Sequence, residues 1–182
     1  MHRRKIVAYK KIDEVVEQYR RMGMKIVLAQ GTYDMVHVGH GRYLQKAKSL
    51  GDILVVGVDS DEKVKKRKGP QRPVVPEDER CEMLTFLSSV DVVVIKPVKA
   101  EKWELIKMVK PDVLIATKAT YDQEELRELK TVCGEIKVME PMATTSTSAK
   151  IRLVQLGMAE EFSKKLKNKL LSQIEELVNE WK

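Results

Sequence analysis

The chain has 182 residues, of which 43% are apolar and 34% charged, with a formal net charge of +7. That length suits one domain with a substantial core, and that balance excludes a disordered chain. No apolar run reaches membrane-spanning length, and "MHRRKIVAYKK" lacks the apolar stretch of a secretory leader, so a membrane partner is not expected.

In chain order, Ile12, Val15, Val16, Tyr19 and Met22 repeat at helical spacing, and Gly23 closes that helix. "KIVLAQ" (25–30) reads as a buried strand. From about His37 to Leu50 the pattern is helical, with Tyr43, Leu44, Ala47 and Leu50 on one side, and "DILVVGV" (52–58) is a second continuous apolar strand. "KVKKRKG" (63–69) packs five cations into six positions and reads as a basic loop. Pro76 with Glu77, Asp78 and Glu79 starts a helix with favourable first-turn charge. "DVVVI" (91–95), a helix over about 101–109, "PDVLIA" (111–116), a helix over about 122–132 and "EIKVME" (135–140) continue the alternation. Continuous apolar strands alternating with helices predict an α/β fold: an open, parallel, five-stranded sheet with helices on both faces. The tail from Met158 sets Phe162, Leu166, Leu170, Ile174, Leu177 and Trp181 on one stripe of an amphipathic helix. Its charges are mixed in sign, which favours packing on the domain or on a second subunit over a membrane surface, and a homodimer is expected. The expected division is an N-terminal helical extension over 1–24, a central domain over 25–156 and a C-terminal helix over 157–182.

The densest chemistry lies in "GTYDMVHVGH" (31–40), where two of the chain's three histidines, His37 and His40, sit three residues apart. The segment follows the first core strand and begins a helix, where ligands of open α/β sheets bind. Gly31 permits a sharp turn, and Gly39 removes a side chain where a ligand would approach the backbone. A helix start offers free N–H groups to phosphate, and side chains three apart project from the same side of the first turn. Asp34 with the two histidines makes a weak metal site, because no further His or Cys is placed to complete it, and none is expected. The two cysteines, Cys81 and Cys133, have no ligand-like spacing and suit inert thiols in a reducing compartment, which points to the cytoplasm.

"GTYDMVHVGH" resembles the HxGH signature of the cytidylyltransferase-like nucleotidyltransferases, whose domain is Rossmann-like. The resemblance continues through "YLQKAKSLGDILVVGVDSDE", "KGPQRPVVPEDER" and "STS" at 146–148, covering about residues 25–152 in order. It implies attack of a substrate phosphate oxygen on the α-phosphorus of a nucleoside triphosphate, with pyrophosphate leaving and Mg²⁺ held chiefly by phosphates. His37, His40 and Lys68 then carry catalysis. Gly31, Thr32, Tyr33, Gly39 and the cluster Thr145, Ser146, Thr147 and Ser148 contact the nucleotide. Asp34, Lys65, Arg80 and Tyr121 contact the second substrate. Ser and Thr at a helix start also cap it, and both roles can hold at once.

Within that family, "VDSDEKVKKRKGPQRPVVPEDER", "SSVDVVVI" and the helix before the first core strand resemble the heptose-1-phosphate adenylyltransferases. Glycerol-3-phosphate cytidylyltransferases, the CTP-dependent alternative, carry an arginine and a glycine before the Ser/Thr cluster. "EPMATTSTS" has neither. The adenylyltransferases in turn show Gly-Gly-Asp-Tyr where this chain has "ATKATYDQEEL", of which only Tyr121 and Asp122 match. The expected partners are an NTP, with ATP favoured, and a phosphorylated sugar or polyol. Nucleic-acid binding through the basic loop is the rival outside enzymology, and it leaves the histidines without a role.

Overall fold

The computed structural model describes residues 2–117, 120–140, 142–143 and 147–180, except the side chains at 2–3, 147–148, 150, 177–178 and 180. The chain divides into a unit Met1–Thr144 and a unit Thr145–Lys182.

The first unit is built on a six-stranded sheet, all neighbours parallel, in the order β1-β4-β3-β2-β5-β6. Its strands are β1 (Ile6–Val7), β2 (Ile26–Gly31), β3 (Ile53–Asp59), β4 (Val92–Lys96), β5 (Val113–Ala116) and β6 (Glu135–Val138). The five strands expected from the sequence are β2 to β6, and β1 adds a sixth at the edge. Two residues are too short a run to read as a strand. Ile6 and Val7 pair with Val93 and Val94, and the Lys5 ammonium donates to the Val90 carbonyl at 2.7 Å, so tertiary contacts create the edge.

Strand side chains alternate between two cores. Val27, Ala29, Leu54, Val56 and Val93 face α2 (Val38–Lys48) and α4 (Glu77–Thr85), with Leu44, Ala47, Cys81 and Leu84 opposite them. Ile26, Leu28, Val55, Val94 and Leu114 face α1 (Ile12–Arg21), α5 (Glu104–Val109) and α6 (Gln123–Leu129), through Ile12, Val16, Leu105, Ile106, Val109 and Leu129. Helices therefore cover both faces, which is why the strands read as continuous apolar runs. Ile12 and Val16 are fully buried, so α1 is part of this core rather than an appended extension. Three aspartates before strands set the register: Asp52, Asp91 and Asp112 accept the amides of Lys25, Leu54 and Ile26 on the neighbouring strand at 2.7–2.8 Å.

The basic stretch differs from expectation. It is a helix, α3 (Asp61–Lys68), not a loop. Ser60 caps it by accepting from the Lys63 amide, Asp61 and Glu62 occupy the positive end, and four cations occupy the negative end. Val64 anchors it as the one buried residue. In the second unit, α7 (Thr147–Glu180) runs unbroken across the division expected at 156/157. Its Phe162, Leu166, Leu170 and Ile174 are exposed; Leu177's side chain and Trp181 lie outside the described residues. Among the described residues, no helix is long and apolar enough to cross a membrane.

Candidate active site

The strand order reverses at β2, with β3, β4 and β1 on one side and β5 and β6 on the other. Open α/β sheets bind ligands beyond the carboxyl end of such a strand. Here that place holds the turn from Gly31 to His37. Tyr33 and Met35 both adopt left-handed backbone, at φ 53° and 51°, a region that costs a side chain about 1–3 kcal/mol and marks functional turns. The Tyr33 ring folds back over Gly31, where an added Cβ would stand 3.1 Å from it. Tyr33 is buried and its hydroxyl has no hydrogen-bond partner among the described residues.

His37 is the N-cap of α2, in extended backbone at φ −136° and ψ 174°. Its Nδ1 accepts the Gly39 amide at 3.0 Å, while the His37 amide donates to His40 Nδ1 at 3.3 Å. The two imidazoles thus form a reciprocal capping box, a task usually given to Ser and Glu. A ring nitrogen that accepts from N–H carries a lone pair, so each neutral ring must hold its proton on Nε2. The result is two Nε2–H donors on rings whose centroids lie 4.1 Å apart. Burial, the neighbouring His37 and the Lys68 charge together lower the His40 pKa from 6.5 to about 4, against a weaker pull from Asp34. His40 is therefore neutral at physiological pH. Two of the amides at this helix start, those of His37 and Gly39, are thus taken by the imidazoles, which keep their Nε2–H groups as donors. Gly39 is needed for a different reason as well: a Cβ there would meet the Ala143 Cβ at 2.7 Å and His37 Cε1 at 2.8 Å.

The turn is braced by arginines. Asp34 is buried and accepts Arg72 Nε at 3.0 Å and the amides of Val74 and Val75 at 3.0–3.1 Å. Burial opposes its charge, but these donors outweigh that and hold the carboxyl below its usual range. Arg80 is 1% exposed. Its guanidinium donates to the Val75 carbonyl at 2.9 Å, the Thr32 carbonyl, the Asp59 carbonyl at 2.9 Å and Asp61 at 2.7 Å. The Thr32 hydroxyl accepts Arg67, which also bonds Asp59 at 2.8 Å. Of the residues assigned to the second substrate by resemblance, Asp34 and Arg80 are thus engaged inside the protein, holding the turn to α3, α4 and segment 72–75.

Lys68 ends α3, and its charge is felt at His40. Partial burial and then the neighbouring Arg67 and Arg72 hold its own pKa below the ordinary lysine value. Lys65 is exposed three residues earlier on the same helix. Tyr121 is placed with a network the sequence gives no sign of. Gln30 donates to the Tyr121 hydroxyl at 3.2 Å and accepts from Lys96 at 3.0 Å, and Lys96 pairs with Asp59 at 2.9 Å. Gln30, Asp59 and Lys96 end three adjacent strands, which only the strand order reveals. Arg67 was hidden within a run of cations, and Arg72 follows that run in "GPQRP". Thr145 and Ser146 lie outside the described residues, and Thr147 and Ser148 open α7 in the second unit.

Residues 28–169 match the cytidylyltransferase-like family. The bifunctional protein HldE of Sulfurimonas denitrificans is 40% identical over 153 residues, which is 81% of this chain and 31% of that protein. HldE of Wolinella succinogenes is 37% identical over 151 residues, 83% of this chain and again 31% of the relative. The chain therefore spans about a third of the length of the curated relatives it matches. Among solved structures, a lipopolysaccharide core biosynthesis protein from Thermoplasma volcanium GSS1 superposes with a TM-score of 0.58 at 28% identity, over 66% of this chain and 100% of that one. A pantoate-beta-alanine ligase from Francisella tularensis has a TM-score of 0.57 at 18% identity, over 74% of this chain and 66% of that one, and shares the fold. The family match runs from within β2 into α7, and the chain accordingly belongs to the cytidylyltransferase-like family of nucleotidyltransferases.

Proposed function

We propose that the chain transfers a nucleoside monophosphate, from ATP in preference to CTP, onto the phosphate of a sugar or polyol phosphate, releasing pyrophosphate. The observation that carries this is the pair of imidazoles whose Nδ1 atoms cap α2 and whose Nε2–H groups are left to donate. In the reaction an acceptor phosphate oxygen forms a bond to the α-phosphorus as the bond from that phosphorus to the β-bridging oxygen breaks. The electron pair leaves with pyrophosphate. Nucleophile and leaving group are both phosphate anions, so no proton needs to move and neutral donors suffice. Donors fixed in advance stabilise the charge that grows on the oxygens in flight. Lys68 adds a positive charge beside His40. The similarity to proteins named HldE and the sequence around Lys68 favour ATP and a sugar phosphate.

A magnesium ion would offset charge on the triphosphate and the departing pyrophosphate. Among the described residues no three His, Cys, Asp or Glu side chains are grouped so that they could hold a metal ion. Asp34 and Asp59 are engaged by arginine, lysine and backbone donors. That donor set fits an ion carried by substrate phosphates and water rather than by a protein cage.

Pyrophosphate release, measured with ATP and CTP in parallel against sugar phosphates and polyol phosphates with Mg²⁺, tests the proposal. Acceptor-dependent release with ATP and a sugar phosphate is expected. Release only with CTP and glycerol 3-phosphate would replace it by the cytidylyl alternative, and salt-sensitive oligonucleotide binding without any release would overturn it.

A further inference from the structure

α7 runs for 34 residues, and nine of its large apolar side chains are exposed. Phe162, Leu166, Leu170 and Ile174 recur every fourth residue, and each is at least 48% exposed. Side chains four apart share one face of a helix, so these four make a continuous apolar stripe. Most of the stability of such a helix in water comes from covering that stripe with another apolar surface.

The charges beside the stripe are sorted along the helix. Lys164, Lys165, Lys167 and Lys169 lie in a segment without an acid, whereas 175–180 carries Glu175, Glu176 and Glu180 and no base. Lys165 pairs with Glu161 at 2.8 Å, but Lys169 and Glu176 make no ion pair among the described residues. These two are seven residues apart in sequence, so they lie on the same edge of the helix but about 10 Å apart along it, too far to pair within one chain. A helix with a basic block followed by an acidic block is complementary to its own copy turned end for end. An anionic membrane would attract the first block and repel the second.

We propose that α7 is a self-association surface, on which a second copy of this chain lays its own α7 antiparallel about a two-fold axis between Leu170 and Ile174. Leu170 of each copy then packs on Ile174 of the other, and Lys169 of each faces Glu176 of the other. Both contacts are made twice by symmetry. A parallel pair would instead set lysine block beside lysine block and glutamate block beside glutamate block, which repel.

Sedimentation equilibrium of the full-length protein tests the proposal, and a dimer at micromolar concentration is expected. Leu170→Ser combined with Ile174→Ser should give a monomer whose thermal melt shows it folded, since both side chains are exposed and leave no core behind. Glu176→Lys should weaken the dimer about fivefold, and adding Lys169→Glu to the same chain should restore it. Because the two positions cannot meet within one helix, that rescue reports a contact between copies. Orientation is read with a short bismaleimide crosslinker. Gln173→Cys, beside the axis, should link two copies, whereas Ser163→Cys should not, its two copies standing about 27 Å apart along the pair. A wild-type monomer, whether free or sedimenting with anionic lipid vesicles, would remove the proposal. A dimer that survives the double serine variant would place the interface elsewhere and overturn it. Crosslinking at Ser163→Cys as readily as at Gln173→Cys would make the pair parallel and contradict the charge argument.

Discussion

Two neighbouring regions offer themselves to phosphate, and they do so by opposite means. At the start of α2, two imidazoles are fixed by backbone amides and present N–H donors whose direction is set before any substrate arrives. At the end of α3, four cations follow one another in sequence, yet Arg67 is turned inward to Asp59 and Thr32, and only the lysines remain for a ligand. Charge density in the sequence is therefore a poor guide to charge available at the site. On the proposed function, orientation at α2 and loosely held charge at α3 would divide the work.

The sharpest way to break that comparison is to separate capping from donation. His37→Asn keeps a good N-cap but removes the outward Nε2–H, so kcat should fall by about 10²–10³ while the melting temperature changes little; His40→Ala should lose a similar factor. Near-full activity in either, measured as pyrophosphate release, would return that histidine to a structural role. The inward arginine can be tested through its partner. Asp59→Ala leaves Arg67 and the half-buried Lys96 without their carboxylate and should destabilise the protein by about 3 kcal/mol in urea denaturation, with a midpoint close to wild type contradicting it. Lys68→Ala should lower kcat by a smaller factor, about tenfold, and should raise the pKa of His40, because the Lys68 charge is one of the causes that depress it. Unchanged kinetics would assign Lys68 to the solvated face of α3.

The smallest effect concerns stability against pH. Folding lowers the His40 pKa from 6.5 to about 4, so in that interval the unfolded chain binds more protons than the folded one. The contribution is complete above pH 6.5 and is lost as pH falls towards 4. His40→Gln should flatten the pH dependence of the urea midpoint across that interval, and an unchanged slope would contradict the assignment.

The sheet was legible because its strands are continuous apolar runs set off by Asp, Gly and Pro, and "GTYDMVHVGH" was legible as the junction between a core strand and a helix. Three things were not legible, for physical reasons. β1 is two residues held by an edge that exists only after β4 has formed. α3 contains a single apolar anchor, Val64, so it has no periodicity to read and depends on its cap and terminal charges. The capping role of the histidines depends on the extended backbone of His37 and on Nδ1 rather than Nε2 facing the amides, which spacing does not specify. Arg80 was expected at the second substrate on resemblance, and its burial beneath the Thr32 carbonyl shows how one cation can hold a turn together from behind.

The central claim is that two imidazoles, held at Nδ1 by backbone amides, meet the triphosphate through Nε2–H. Nitrogen-15 NMR of histidine-labelled protein, followed from pH 8 to pH 4.5 with and without ATP, tests it most directly. The account predicts that His40 shows a bare Nδ1 and a protonated Nε2 throughout, without a titration step near 6.5, and that the Nε2–H signals of both site histidines move when ATP binds. A His40 that takes up a proton near pH 6.5, or that carries its proton on Nδ1, would contradict it.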